Sequence, residues 1–446
     1  MRVQQRKPLL LHFDVNKTVI LTDSIDAKTM DACIREAISD MYWGQVSADG
    51  QQWQWFGPGT VCARPPATEG ALSYHDFCKR IIPEKDARKP VVREFSKVEP
   101  ETKTAMEQTV KDAVARMELP IPGKGDPGLE KAGLNKECYL MLPGLFKLVA
   151  SLVKRKIKFS LVFRSFGQDH DKIRNEWNAF CERRHPIFSH LLDGVGPLDG
   201  SVLGIPDKRL DRIHTVYRDE HGPVLALDTF TNGPKESTWD AWVKAKPKPL
   251  EDTRNGRAFF AKEGAKCMDG MIAIASYFES LLIAETTVAM KDDWAWWTWH
   301  KEASHAGKLM LALENANVLF FDDNIEVLDA HIVDCREADG SVMTRERIKE
   351  SCVRVNPVEA LLNEDYYLEE IESRCGWQDL AIEFEEPAIT AFSKEMQVAD
   401  FALPQDDGSM DTGGDWSSMS LFNFFSCCNA TSCQQRQGNR TVTVKG

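Results

Sequence analysis

The chain has 446 residues, of which 43% are hydrophobic, so it can bury a sizeable core in two or three domains or in one core with large insertions. Its net charge of -13 argues against a nucleic-acid partner, because binding to a phosphate backbone needs clustered lysine and arginine side chains. The longest apolar stretch, 271–284, is shorter than the ~20 residues of a membrane span, and the scattered cysteines indicate reduced thiols, so we expect a cytoplasmic protein without an integral membrane segment.

The first predicted element is a strand at residues 9–13, an unbroken apolar run that leads directly into polar residues. A run of this length suits a strand that is buried on both faces of a parallel sheet. Asp14 stands at its carboxyl end, and Asn16 and Thr18 follow. Because open α/β sheets bind ligands at the carboxyl ends of their strands, Asp14 is the first candidate for a functional residue.

A long insertion follows the first strand. Residues 23–42 have the apolar spacing of a helix, with Asp23 or Ser24 as the candidate N-cap. The pattern then changes to tryptophan-bearing turns, a proline-rich piece, further helical segments and a glycine-rich loop. We interpret 24–136 as an insertion that covers the sheet.

An α/β pattern returns after this insertion. Residues 141–154 predict a helix with leucines on one side, and residues 158–163 predict a second buried strand that leads into Arg164 and Ser165. A further helix is predicted at 169–183. This order of helix, strand, turn and helix is typical of parallel sheets.

The next part of the chain mixes hairpin and aromatic patterns. Residues 213–228 predict a hairpin, since a polar turn separates two strand-like runs. The tryptophans at 294, 296, 297 and 299 allow two interpretations: a lid that faces a substrate, or core between domains.

The carboxyl-terminal third contains a third apolar run. A helix is predicted at 303–315 and a buried strand at 317–321, which ends in Asp322 and Asp323. Candidate strands follow at 331–333 and 352–355. From residue 385 to 446 the composition becomes polar and glycine-rich, which predicts a disordered tail.

Three strand-like runs therefore end in Asp14, Ser165 and Asp322, and lysines precede the third run. This set resembles the haloacid dehalogenase-like (HAD) superfamily. Members of that family use an Asp nucleophile in a DxDxT-type motif, a Ser or Thr after the second motif strand, a Lys or Arg, and an acidic motif after a later strand. The resemblance covers about 7–23, 138–184 and 300–355.

The resemblance implies an α/β fold with a doubly wound, mostly parallel sheet and large cap insertions. The HAD-like core would comprise 1–23, 137–200 and 300–370. The two caps would be 24–136 and 201–299.

The resemblance also implies chemistry. Asp14 would attack a phosphorylated small molecule, and Mg²⁺ would bind to Asp14, to the backbone carbonyl of Asn16 and to Asp322, with Asp323 as the second candidate. Ser165 would hydrogen-bond a phosphoryl oxygen, and Thr18 completes the first motif. Mg²⁺ is therefore the expected cofactor.

Two lysines compete for the role of the cation. Lys301 lies 21 residues before Asp322, a spacing that leaves room for a loop, a helix and a strand. Lys308 lies 14 residues before Asp322, inside the predicted helix. This spacing favours Lys301.

One residue departs from the family pattern. The position two after the nucleophile is normally a second Asp that acts as general acid and base, and here it is Asn16, which cannot titrate. Such catalysis contributes roughly 10² to 10⁴ in rate. Two hypotheses follow: a Mg²⁺-dependent hydrolase or phosphotransferase, or a catalytically weakened protein that binds a phosphorylated ligand or a protein partner.

Overall fold

The computed structural model describes residues 6–23, 28–120, 127–134, 138–167, 169–229, 255–326 and 331–384, and an eight-stranded sheet runs through this part of the chain. The strands, in chain order, are β1 Leu9–Asp14, β2 Trp43–Val46, β3 Trp53–Trp55, β4 Leu72–Ser73, β5 Phe159–Ser165, β6 Ile213–Asp219, β7 Gly222–Ala226, β8 Cys267–Asp269, β9 Thr287–Lys291, β10 Lys308–Leu311, β11 Asn317–Asp322, β12 Val333–Arg336 and β13 Cys352–Arg354.

The α-helices of the same described residues are α1 Met30–Met41, α2 Tyr74–Ile81, α3 Lys85–Arg93, α4 Pro100–Met117, α5 Pro127–Lys131, α6 Pro143–Lys154, α7 His170–Cys181, α8 Gly256–Lys262, α9 Gly270–Ala284, α10 Trp294–Trp299, α11 Arg345–Ser351, α12 Pro357–Leu362 and α13 Tyr366–Cys375. Within the ranges given above, no helix is both long enough and apolar enough to cross a bilayer.

The central sheet has the order β13-β11-β1-β5-β9-β6-β7-β8. Pairing is parallel from β13 through β6, and β7 and β8 add two antiparallel pairings at one edge. β1 lies in the middle of the parallel part, where Leu11 pairs with Leu319 on one side and with Leu161 on the other. The prediction of an α/β fold with a mostly parallel sheet is confirmed.

Each face of this sheet is covered by a separate hydrophobic cluster. Leu9, Leu11 and Phe13 of β1 pack in one cluster together with side chains of α6 and α7. Leu10, one residue out of phase, packs in the other cluster with side chains of α9, β10 and β12. This alternation follows from the two-residue period of a strand, and it explains why the β1 sequence is apolar throughout.

The segment between β1 and α5 forms secondary structure of its own. β3, β2 and β4 make a small antiparallel sheet in that order, and α1 packs against α2, α3 and α4. α1 and α4 also pack against α12, which attaches this segment to the carboxyl-terminal helices of the fold.

Two predictions for the second half of the chain are wrong. The described parts of 201–299 do not form a separate cap, because β6, β7, β8 and β9 are strands of the central sheet. The short apolar runs and the hairpin turn of this segment are equally compatible with strands of the main sheet, and sequence patterning alone does not distinguish the two possibilities.

The helix predicted at 303–315 is also absent. A short 3-10 turn at Ser304–Ala306 is followed by β10, which pairs in parallel with β12 in a separate two-stranded sheet. The run Lys308–Leu311 is a short apolar segment, and such a segment is ambiguous between helix and strand. The predicted disordered tail and the candidate N-cap Ser24 lie outside the described residues.

Candidate functional site

The candidate site lies at the carboxyl ends of β1 and β11, which are neighbours in the sheet. From β1 the chain returns to the sheet at β5 on one side, whereas from β11 it returns at β13 on the other. Neighbouring strands whose connections leave in opposite directions form a crevice, which is where open α/β sheets bind ligands. Asp14 and Asp322 are the last residues of these two strands.

Lys308 joins these two carboxylates. Its Nζ donates to Oδ1 of Asp14 and, at 2.7 Å, to Oδ2 of Asp322. All three side chains are almost completely buried. Lys308 begins β10, which packs in the same cluster as Leu10 and Phe320, so the lysine approaches the sheet from the face toward which Asp14 and Asp322 point.

The structure therefore corrects the choice between the two lysines. Lys301 is exposed and lies in a left-handed turn, with φ of 55°, just after α10. The sequence disfavours Lys308 because its position falls inside the helix predicted at 303–315. Since β10 is a strand that begins at Lys308, this residue can present its side chain to the site directly.

Asp323 lies beside the pair Asp14 and Asp322, and the three carboxylates each have an oxygen within 4.8 Å of the others. In the described ranges, no other group of three acidic, histidine or cysteine side chains has this geometry. Both candidates for the acidic motif thus belong to one cluster. Asn324 supports it, since its backbone N–H donates to Oδ1 of Asp322 at 2.9 Å and its Nδ2 to Oδ1 of Asp323 at 3.0 Å.

A second ammonium group was not foreseen in the sequence. Nζ of Lys17 donates to Oδ2 of Asp323, and the backbone of Lys17 is left-handed, with φ of 55°. Lys17 stands three residues after Asp14 in the sequence, and this proximity is the signal that was available. The cluster thus contains three carboxylates and two ammonium groups.

Burial and charge oppose each other in this cluster. Burial raises the pKa of Asp14 well above its usual value, and the charge of Lys308 offsets this effect only in part. Burial likewise raises the pKa of Asp323, against the charge of Lys17. For Lys308, burial alone would lower the pKa, but the charges of Asp14 and Asp322 outweigh it and raise the pKa above its ordinary value.

The remaining predicted site residues lie at the same edge of the sheet, at the end of β5 and in the loop after β1. Ser165 ends β5, next to β1, and its buried Oγ accepts a hydrogen bond from the backbone N–H of Gly167 at 2.8 Å. Oδ1 of Asn16 and Oγ1 of Thr18 are buried and have no hydrogen-bond partner among the described residues. Buried polar atoms of this kind are normally satisfied by protein, water or an ion, so both oxygens are available to a ligand in this loop.

The donor set fits a hard divalent cation. Mg²⁺ takes oxygen ligands in octahedral geometry and keeps several waters, so it needs only a few carboxylates from the protein. Asp14, Asp322 and Asp323 offer those oxygens, and Asn16 adds a buried amide oxygen in the adjacent loop. In a metal complex the two ammonium groups would share these carboxylates with the cation.

The tryptophan segment supports the site by packing. Trp297 of α10 is buried and stacks on Phe166 with ring centroids 5.2 Å apart. The Phe166 ring in turn lies 5.1 Å from Nζ of Lys308. Trp294 and Trp296 pack against the same hydrophobic cluster as Trp297. These contacts favour the interpretation of this segment as core.

Comparisons of the chain with protein-family models, with curated proteins and with solved structures return no match. The family resemblance therefore stays a prediction that rests on the motif residues.

Proposed function

We propose that this chain is a Mg²⁺-dependent, HAD-like hydrolase or phosphotransferase that acts on a phosphorylated small molecule through an Asp14 nucleophile. The observation that supports this proposal is the cluster of Asp14, Lys308, Asp322 and the half-buried Asp323 at the crevice between β1 and β11. A carboxylate nucleophile, a fixed cation and a set of oxygen ligands are the groups that phosphoryl transfer requires.

In this proposal Asp14 attacks phosphorus, a bond forms between its carboxylate oxygen and phosphorus, and the bond to the leaving group breaks. Lys308 holds the Asp14 carboxylate in place and offsets the negative charge on the transferring oxygens. The Ser165 hydroxyl donates to one of those oxygens. Mg²⁺, when bound, neutralises further charge on the phosphoryl group. A water or a second acceptor then takes the phosphoryl group from Asp14.

Asn16 limits the class of substrate. Because it cannot protonate a leaving group, the first step favours leaving groups that depart as stable anions, such as those of acyl and aryl phosphates. Alkyl phosphates need general acid catalysis, which contributes roughly 10² to 10⁴ in rate. We therefore propose substrates of the first kind.

A second candidate function is a catalytically weakened protein that binds a phosphorylated ligand or a protein partner. Two observations favour it: Asn16 replaces a titratable group, and Asp14 is only 4% exposed. A nucleophile this deeply buried is not directly accessible to a substrate.

The test is turnover of acyl, aryl and alkyl phosphates with Mg²⁺ by wild type, Asp14→Asn, Asn16→Asp and Lys308→Met, with Lys301→Met as the matched control. The enzyme hypothesis predicts turnover of acyl or aryl phosphates that Asp14→Asn and Lys308→Met abolish and that Lys301→Met preserves. Absence of turnover in wild type together with a gain in Asn16→Asp would favour the binding protein. Turnover that survives Asp14→Asn would refute the site.

A further inference from the structure

Two buried arginines hold the backbone on either side of Lys308. Arg164 of β5 is fully buried, and its Nη1 donates to the carbonyl oxygen of Leu309 at 2.8 Å. Arg218 of β6 is 7% exposed, and its Nη1 donates to the carbonyl oxygen of Gly307 at 2.9 Å. The carbonyls of the residues immediately before and immediately after Lys308 are therefore both bound by guanidinium groups from the central sheet.

These contacts matter because β10 is not a strand of the central sheet. Its ladder is made with β12, in which Lys308 pairs with Val333. Asp14 and Asp322, by contrast, end strands of the central sheet. The relative position of the lysine and the two carboxylates thus depends on side-chain contacts between the two sheets.

Both arginines are themselves fixed by carboxylates. Nε of Arg164 donates to Oδ2 of Asp292 at 2.9 Å, and its Nη2 donates to Oδ1 of the same residue. Nη2 of Arg218 donates to Oδ2 of Asp334 in β12 at 2.6 Å. A guanidinium held in this way is planar and always charged, so its remaining N–H groups point in fixed directions.

The geometry points to Arg164 and Arg218 as positioning residues that act through Lys308. They set where β10 begins above the central sheet, and so they direct the ammonium group between Asp14 and Asp322. This inference rests on the proposed function for its catalytic meaning, whereas the mechanical coupling between each arginine and Lys308 can be measured without any metal or substrate.

The first experiment is a double-mutant cycle on stability. The unfolding equilibrium constant is measured by urea titration in EDTA for wild type, Arg218→Met, Lys308→Met and the double variant. If Arg218 acts through Lys308, the unfolding equilibrium constant of the double variant is at least fivefold smaller than the value obtained by multiplying the effects of the two single substitutions. Effects that multiply to within about twofold overturn the inference. Arg212→Met, which removes an arginine paired with Asp228, is the control and should combine multiplicatively with Lys308→Met.

The second experiment uses Mn²⁺ as the probe and reads a property that a purely structural role would not change in this way. Lys308→Met should tighten Mn²⁺ binding by about tenfold, because one ammonium group leaves two of the three carboxylates. Arg218→Met should tighten it about threefold in the wild-type background and should have no effect in the Lys308→Met background. If Arg218→Met tightened Mn²⁺ binding equally in both backgrounds, the cause would be the loss of the positive charge of the guanidinium itself. That result would overturn the inference.

Two outcomes separate this inference from the proposed function. Coupling in the stability cycle without Mn²⁺ binding to wild type would refute the proposed function and leave the positioning role supported. Mn²⁺ binding to wild type without coupling in the stability cycle would refute the positioning role and leave the proposed function supported. Should Arg218→Met fail to fold, Arg164→Lys and Arg218→Lys replace it. A lysine retains the positive charge, but it lacks the fork of N–H groups with which each arginine binds a carboxylate and a carbonyl oxygen at the same time.

Discussion

The ammonium group of Lys308 donates a hydrogen bond to Oδ2 of Asp322 at 2.7 Å, although the two residues belong to strands of different sheets. The same group also bonds Asp14, so a single buried cation joins the ends of β1 and β11. Loss of this cation would leave two buried carboxylates facing each other. The lysine therefore contributes to stability as well as to the proposed chemistry.

The first prediction concerns that contribution. Lys308→Met should lower the free energy of unfolding in EDTA by about 3 kcal/mol, because removal of one partner from a buried ion cluster leaves uncompensated charge. Chemical denaturation measures this change. Lys301→Met, at an exposed position, should change the free energy of unfolding by less than about 0.5 kcal/mol. Equal effects of the two substitutions would contradict the role given to Lys308.

The second prediction concerns Lys17. Its ammonium group bonds Asp323 and so competes with a divalent cation for that carboxylate. Lys17→Met should therefore tighten Mn²⁺ binding about fivefold, which electron paramagnetic resonance or calorimetry can measure. Lys147→Met removes an ion pair with Asp365 elsewhere in the fold and should leave the affinity unchanged. Weaker binding in Lys17→Met would show that this lysine supports the metal site.

The strands that carry the motif residues were predictable because their signal is local. The runs at β1, β5 and β11 are uninterrupted apolar segments, and each leads into a polar residue at the same edge of the sheet. That pattern predicts Asp14, Ser165 and Asp322 as site residues from the sequence alone. It also located Asp323, since this residue directly follows β11.

The contacts that complete the site were not predictable, because they depend on pairings distant in sequence. Lys308 is correctly placed only when β10 is recognised as a strand, and β10 is short and pairs with β12 rather than with the main sheet. Arg164 stood in the sequence beside Ser165, yet its role depends on Asp292 and Leu309, which are far along the chain. Similarly, β9 pairs with β5 although 121 residues lie between the last residue of β5 and Thr287, the first residue of β9.

The third prediction concerns pH. Lys208 is almost fully buried, and its Nζ donates to the carbonyl oxygens of Phe159, at 2.6 Å, and Glu285. Burial lowers the pKa of this lysine from 10.5 to about 7. Between these values the unfolded chain binds the proton more tightly than the folded protein, so this group makes stability rise with pH in that interval.

Measurement of the free energy of unfolding from pH 6 to pH 10 checks this prediction. Relative to Lys208→Met, the wild type should gain up to ~4 kcal/mol over that interval, most of it above pH 7. The variant also leaves two carbonyl oxygens without their donor, which lowers its stability by an amount that does not depend on pH. Parallel pH profiles for the two proteins would show that Lys208 stays charged in the folded state.

The last prediction concerns Gly307, which precedes Lys308. A Cβ atom at this position would lie 2.2 Å from the carbonyl oxygen of Ile332, which is backbone and cannot turn away. Gly307→Ala should therefore push β10 away from β12 and lower the free energy of unfolding by about 2 to 3 kcal/mol. Because Lys308 moves with the strand, the same variant should also lose most of the turnover that the proposed function predicts.

Gly59→Ala is the matched control, since a Cβ atom there meets nothing within 4 Å and the change should be neutral or slightly stabilising. If Gly307→Ala kept full stability and full turnover, β10 could shift without moving the ammonium group, and the view that the backbone at 307–309 sets the position of Lys308 would have to be abandoned.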